Sequence, residues 1–223
     1  MAVIHRTTME PGKLELAGAW LPTRPWYTGD GKPLLEKAGG YRLDDPAGEV
    51  GIEFMVVADT SGDTPVAYHL PVSYRGAPLD GAQDALIGTS EHGVLGRRWV
   101  YDGAHDPVVL ERLVALVQGR AVPQAQSDSD TPDPTVSAES AGGPREPFVA
   151  GGPAPVVADG PDGTDVTLFL GSGAGSDRRR AVLHLARVLR PGPADGPAGS
   201  VTTGWRLPGG ATPRGVFATL RDA

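Results

Sequence analysis

Cysteine is absent from the 223 residues of this chain. Without thiols the chain forms no disulfide, no thiolate metal site and no iron–sulfur cluster, and it has no cysteine nucleophile. Such an absence is typical of proteins that work in a reducing compartment. We therefore expect a cytoplasmic protein.

Long apolar runs are also missing. Residues 1–6 lack the apolar core of a signal peptide, and no later stretch has the length and hydrophobicity of a membrane-spanning helix. Positive charge is scarce, with 20 Lys and Arg against 27 Asp and Glu and a net charge of -7. Because nucleic-acid binding needs clustered Lys and Arg, these features predict neither a membrane partner nor a nucleic-acid partner.

Glycine and proline are abundant, at 32 and 22 residues. They are prominent in residues 121–147, which contain almost no large apolar side chain. Such a stretch cannot offset the entropy lost on ordering, so we expect a flexible linker there. This linker would divide the chain into an N-terminal domain, residues 1–120, and a small β-rich C-terminal region, residues 148–223.

The N-terminal domain shows strand signals around a turn. Apolar residues alternate over 50–59, a second β-prone stretch covers 66–74, and Ser61 to Asp63 is a turn signal between them. The pattern predicts an antiparallel hairpin. Short apolar stretches near 165–170, 181–190, 200–207 and 215–220 predict further strands in the C-terminal region, and the pattern at 181–190 fits a helix equally well.

A helix is predicted over residues 106–118. Asp106 can cap its first turn, and Pro107 suits its first position. An apolar stripe follows, and this periodicity places Ala115 and Gln118 on the side turned away from the core. The fold class expected is α+β, with an antiparallel sheet packed by one or two helices and then a mainly-β C-terminal block.

Three patterns suggest chemistry only weakly. The glycines of residues 171–176 are spaced poorly for a dinucleotide loop, and a flexible hairpin loop explains them better. The Glu91-His92 and His105-Asp106 pairs do not place two metal ligands on one helix face. Ser90, which would complete a triad with His92 and Asp102, does not lie on a nucleophile elbow. We predict no catalytic residue, no metal site and no cofactor.

Large aromatic residues offer another kind of site. Trp26, Tyr27 and Trp99 are candidate contacts for a ligand or a protein partner, because such side chains stack on sugar rings and anchor interfaces. They also commonly fill cores. If they bind a sugar together, they must share an exposed face.

The order of several motifs resembles that of a known family. Trp20-Leu21-Pro22 is followed by an Arg-Pro-Trp-Tyr-Thr-Gly segment at 24–29, then by Trp99-Val100-Tyr101-Asp102-Gly103 and by His105-Asp106-Pro107. Together they resemble the N-terminal cap domain of maltokinases over roughly residues 1–120. The C-terminal block, with segments 184–191 and 204–208, is similar to the tails of stand-alone actinobacterial proteins that carry this cap.

The resemblance implies a small cystatin-like cap that sits on the N-lobe of a kinase. In the family, the chemistry lies in a longer domain that follows the cap and uses a catalytic Asp in an H-x-D loop and a magnesium-binding Asn. In this chain no histidine is followed two positions later by Asp, Asn is absent, and no Lys follows Lys37. No catalytic residue of the family is therefore carried over.

These observations predict a non-catalytic, regulatory cap-domain protein of carbohydrate metabolism. Its expected protein partner is a sugar kinase or another enzyme of trehalose or α-glucan (glycogen) metabolism, which it binds or modulates. Two alternatives stay open. One is a carbohydrate-binding module, and the other is a component of a maltokinase or glucan-branching-related enzyme with ATP binding.

Overall fold

The structure is a computed structural model that describes residues 7–140, 142, 146–149, 153–161, 163–171, 178–193 and 195–223. Strands dominate this part of the chain, with two α-helices and three 3₁₀ turns. The strands are β1 (Met9–Glu10), β2 (Leu35–Leu43), β3 (Gly51–Asp59), β4 (Val66–Arg75), β5 (Leu86–His92), β6 (Gly96–Asp102), β7 (Gln124–Ala125), β8 (Ser137–Glu139), β9 (Val156–Gly160), β10 (Gly163–Leu170), β11 (Arg179–Ala186), β12 (Ser200–Gly204) and β13 (Arg214–Asp222). The helices are α1 (Lys13–Trp20) and α2 (Pro107–Val117), and the 3₁₀ turns are Leu21–Thr23, Gln83–Ala85 and Gly103–His105.

The first sheet has the antiparallel order β1-β5-β6-β4-β3-β2-β7. Its centre is the β3–β4 hairpin, whose register runs from Gly51 opposite Tyr74 to Asp59 opposite Val66, so the predicted hairpin is confirmed. The neighbouring strand β2 was not predicted. Its alternation is interrupted at Gly39 and Gly40, where the pairing with β3 shifts in register.

Both faces of the first sheet are covered. On one face, α1 and the turn after it pack against the odd-numbered side chains of β3, such as Met55 and Val57. On the other face lie α2 and the second sheet, which contact even-numbered side chains such as Phe54 and Val56. The sheet is therefore the middle layer of the molecule, and its central strands are buried on both sides.

The helix α2 begins as predicted. The carboxylate of Asp106 accepts a hydrogen bond from the Val108 amide at 3.0 Å, and Pro107 is the first helical residue. The prediction that Ala115 and Gln118 face outward is wrong, since both are buried. The chain near residue 146, in the segment expected to be a linker, passes there, and the Gln118 side-chain amide donates to the Glu146 carbonyl at 2.8 Å.

The second sheet has the antiparallel order β8-β12-β13-β11-β10-β9. Its inner side chains join those of the first sheet in one apolar cluster, which includes Leu183 and Phe217. Residues 187–189 run alongside β4, where the His69 amide donates to the Arg187 carbonyl at 2.9 Å and the Leu189 amide donates to the Ala67 carbonyl at 2.8 Å. The two blocks thus have separate sheets and a shared core, and the expected α+β class is confirmed.

Part of the segment expected to be a linker contributes to both sheets. In it, β7 pairs with β2 of the first sheet and β8 pairs with β12 of the second. The division into a domain at 1–120, a flexible linker at 121–147 and a region at 148–223 stays a prediction. Within the described ranges, no helix is long and apolar enough to span a membrane.

Candidate functional site

A cleft of about 840 Å³, lined by apolar and charged residues, lies at one end of the first sheet, on the face that α1 covers. The helix begins at Lys13, so it shields Met55 and Val57 but leaves the sheet face open beyond its N-terminus. Because side chains alternate along β3, Glu53 is the next residue on that face. We call this space the Glu53 cleft. Its lining comes from the chain around β1 and α1, from β2 to β6 and from Gln126.

Glu53 is the centre of a compact hydrogen-bond network although only 3% of its surface is exposed. Its Oε2 atom accepts from Lys13 Nζ at 2.6 Å and from the Tyr74 hydroxyl at 2.7 Å. Its Oε1 atom accepts from Gln126 Nε2 at 2.7 Å. Lys13 Nζ also lies 5.1 Å from the centre of the Tyr74 ring. The carboxylate therefore links α1, the central hairpin and the segment after β7.

The charge states in the network follow from these contacts. Burial by itself would raise the pKa of Glu53, but the charge of Lys13 and the hydrogen bonds from Lys13, Tyr74 and Gln126 lower that pKa below its ordinary value. Burial and the nearby carboxylate raise the pKa of Tyr74 well above its usual range. At neutral pH Glu53 is thus ionised and Tyr74 is a neutral donor.

Glu53→Gln should lower the free energy of unfolding by about 2 kcal/mol at pH 7, because charge-assisted hydrogen bonds of this kind are worth about 1.5–3 kcal/mol. Because the pKa of Glu53 is lowered in the folded protein, the ionised side chain stabilises the fold at pH values above its unfolded-state pKa, about 4.3. This stabilisation is lost as the pH falls below that value. Urea denaturation at pH 7 and at pH 3 checks this. Equal differences between wild type and variant at both pH values would contradict it.

Two arginines line the same cleft from different strands. Arg42 of β2 donates from Nε to the Ala125 carbonyl at 3.1 Å, and Arg98 of β6 donates from Nη2 to the Leu95 carbonyl. Among the described residues, Arg42 Nη2 and Arg98 Nε are buried and have no hydrogen-bond partner. Both arginines therefore line the cleft and keep hydrogen-bonding capacity that the described part of the chain does not use.

The acceptors of the cleft are largely engaged by the protein itself. Besides Glu53, the lining includes the carboxylate of Asp45, which accepts from the backbone amides of Ala47, Glu49 and Val50 at 2.9–3.0 Å. The arrangement thus favours ligands that bring acceptor oxygens.

The aromatic residues predicted to contact a ligand or partner lie elsewhere. Trp26 is 1% exposed and packs against Trp20, while Tyr27 is half-buried and donates from its hydroxyl to Asp59 at 2.9 Å. Trp99 is half-buried in a different apolar cluster. The structure does not bring the three onto one exposed face, which a sugar-stacking surface would need. Contact of Tyr27 or Trp99 with a partner stays a prediction.

The residues weighed as a catalytic triad have separate roles. Ser90 donates to the Pro11 carbonyl at 2.8 Å, and His92 accepts from the Leu95 amide at 3.0 Å in its own hairpin. Asp102 forms a buried ion pair with Arg187. They do not form a hydrogen-bonded Ser–His–Asp chain.

The other weighed motifs supply no site in the described part of the chain. Asp106 of the His105-Asp106 pair is held by Arg75 at 2.6 Å while it caps α2. No group of three or more His, Asp and Glu residues among those described is placed to hold a metal ion. Of the glycine loop at 171–176, all but Gly171 lies outside the described residues.

Sequence reasoning missed the Glu53 cleft, although one signal was present. Glu53 is a lone charged residue in the strand Gly51–Asp59, which is otherwise apolar up to its last residue. A carboxylate inside such a run needs partners, since burying it alone is costly. Its partners Lys13 and Gln126 are 40 and 73 residues away, so the sequence could not identify them.

The fold and the cleft define a small α+β module with a central antiparallel sheet and a helix on each face. Residues 20–106 match the maltokinase N-terminal cap domain family. The match confirms the resemblance seen in the motifs, and no kinase-domain family was found in the chain. It supports a cap role associated with maltokinases. Arg42, Glu53, Tyr74 and Arg98 fall inside the matched residues, whereas Lys13 falls outside them.

Proposed function

We propose that this chain is a non-catalytic, regulatory cap-domain protein of the cytoplasm. It binds or modulates a sugar kinase or another enzyme of trehalose or α-glucan (glycogen) metabolism. The observation that carries the proposal is the match of residues 20–106 to the maltokinase cap domain. The sequence contains no Asn, and none of its histidines begins an H-x-D motif. Both features support the proposal that the chain is non-catalytic.

An exposed apolar tip supports contact with a protein. Val94 and Leu95, at the turn between β5 and β6, are 60% and 46% exposed. They lie inside the matched residues and beside the Glu53 cleft, which Leu95 helps to line. Adjacent exposed apolar side chains next to polar groups are typical of protein contact surfaces.

Val94→Asp should weaken binding to the partner enzyme at least tenfold, because it places a charge where the interface would exclude water. The immobilised chain is presented with purified maltokinase and purified α-glucan enzymes from the same genome, and dissociation constants are measured by biolayer interferometry. Val156→Asp is the matched control, since Val156 is 64% exposed on β9 of the second sheet.

We expect the Val156 variant to bind like wild type. If no enzyme of this set bound, or if both variants lost affinity equally, the proposed docking through the cap would be wrong. A separate turnover assay with ATP and maltose, glucosamine or trehalose checks the non-catalytic part. Production of a sugar phosphate by the purified chain would overturn it.

A further inference from the structure

The Glu53 cleft has an imbalance between donors and acceptors. Both oxygens of Glu53 are engaged by neighbouring side chains, and Asp45 is engaged by backbone amides. In contrast, Arg42 Nη2 and Arg98 Nε are buried without a hydrogen-bond partner among the described residues. Buried donors of a charged group are rarely left unsatisfied, because their desolvation is costly. The guanidinium groups of Arg42 and Arg98 therefore have donor capacity left over, and both residues line the cleft.

The two arginines stand at opposite walls of the cleft. The sheet order places β2 and β6 three strand spacings apart, or about 14 Å at 4.8 Å per strand. Between them the floor carries Glu53 and Tyr74. The volume of about 840 Å³ falls in the range of small-molecule sites. The space is thus large enough for a small organic ligand, and both arginines line it.

The N-terminal end of α1 brings partial positive charge to the cleft. Gly12, the N-cap residue, lines the cleft and supplies no side-chain acceptor to the first turn. Helix N-termini carry a partial positive charge that favours anions. Glu49 also belongs to the lining, but it is exposed at the rim, where water and salt screen its charge.

We propose that the Glu53 cleft binds a small organic anion whose phosphate or carboxylate groups are held by Arg42 and Arg98. The planar guanidinium group is suited to these oxyanions, since its parallel N–H donors match their spaced oxygens. Glu53 positions Lys13 and Tyr74 beneath the ligand. This site goes beyond the partner binding proposed above and does not depend on it.

Isothermal titration calorimetry of the whole chain at low ionic strength tests the site with three probes. Glucose 1-phosphate represents phosphate monoesters, citrate represents carboxylates, and glucose is the neutral control. We expect one-to-one binding of at least one anion and no binding of glucose. The anion that binds more tightly identifies the group that the arginines recognise.

Arg98→Gln should weaken the binding of that anion at least tenfold, and Arg42→Gln should do the same. Because Arg42 also donates to Ala125, circular dichroism must show that its variant is folded, and otherwise Arg98→Gln decides the test. Arg97→Gln is the matched control. Arg97 is the adjacent residue, is exposed and pairs with Glu91, so the same change of charge should alter affinity less than twofold.

Three results would overturn the proposed anion site. The first is that neither anion binds, and the second is that glucose binds as tightly as the anions. The third is that the Arg97 variant loses as much affinity as the Arg98 variant. The last outcome would mean that the anions respond only to overall charge. None of these results bears on partner binding through Val94, so the two proposals can fail separately.

Discussion

Replacing Arg187 with Met should lower the free energy of unfolding by about 3–5 kcal/mol, since removing one partner of a buried ion pair leaves the other charge uncompensated. Arg187 is 0% exposed. Its Nη2 donates to both carboxylate oxygens of Asp102, at 2.8 and 2.7 Å, and its Nε donates to the Thr164 hydroxyl at 2.7 Å. Met fills similar space, so the lost pairing dominates the effect.

The companion substitution is Asp102→Asn in the Arg187→Met background. It removes the stranded charge but keeps an oxygen that can accept from the Ala104 amide, now at 3.2 Å from Asp102. We expect the double variant to be less destabilised than the sum of the two single variants by at least 1 kcal/mol. Guanidinium chloride unfolding of all four proteins measures this coupling.

Arg97→Met is the control, because it removes an arginine without breaking a buried ion pair. Its partner is Glu91 at 2.7 Å, and both side chains are about 60% exposed. Exposed pairs contribute about 0–1 kcal/mol, so this variant should unfold close to wild type. Asp102 ends β6 of the first sheet and Arg187 follows β11 of the second, so the pair links the two sheets. An Arg187→Met protein that unfolds within 1 kcal/mol of wild type would contradict a stabilising role for this link.

The ion pair also shows why the sequence predicted local elements but not contacts between distant residues. Local patterns predicted the β3–β4 hairpin and α2 well, because strand alternation and the cap at Asp106 are encoded within a few residues. Arg187 and Asp102 are 85 residues apart, and nothing in either neighbourhood indicates the other. Contacts of this separation depend on how the two sheets pack, which a single sequence does not reveal.

Two further misjudgements, at Gln118 and at β2, have separate structural causes. The periodicity of α2 places Gln118 on its polar side, yet the chain passes over it at Glu146, whose carbonyl accepts a hydrogen bond from the Gln118 amide.

The strand β2 was missed because Gly39 and Gly40 interrupt its alternation. Both have positive φ values, and a Cβ atom on Gly40 would lie within 2.3 Å of the Phe54 carbonyl oxygen. Glycine there permits close approach of two strands, so it marks an irregular strand and not a loop.

The candidate aromatic site shows that the presence of large aromatic residues does not predict which of them are exposed. Trp26 belongs to the segment 24–29 that resembles the cap family, and its packing in the core gives it a role in the fold. Its ring lies 5.1 Å from the guanidinium carbon of Arg187, so it contacts the C-terminal block and not solvent. Two candidate contact sites of the cap are instead the hairpin turn with Val94 and Leu95 and the Glu53 cleft, which sequence composition did not distinguish.

Acidification from pH 6.5 to pH 4.5 should remove about 2–3 kcal/mol of stability through a single residue, His69. This side chain is 0% exposed, stacks against Phe54 and donates from Nδ1 to the Ala186 carbonyl at 3.0 Å. Burial, together with the charge of Arg187, lowers the pKa of His69 from 6.5 to about 3. Below pH 6.5, His69 therefore binds a proton in the unfolded chain but stays neutral in the folded chain. The free energy of unfolding then falls by up to about 1.4 kcal/mol per pH unit.

Urea denaturation between pH 7.5 and pH 4.5 measures this slope in wild type, in His69→Phe and in the control His105→Gln. His105 is exposed, so its variant should keep the wild-type slope, whereas the slope should flatten in His69→Phe even if that variant is less stable at every pH. Arg187→Met should flatten it partly, because the loss of that positive charge lets the pKa of His69 rise toward its ordinary value. Parallel stability curves for wild type and His69→Phe would show that the buried imidazole does not cause the acid sensitivity.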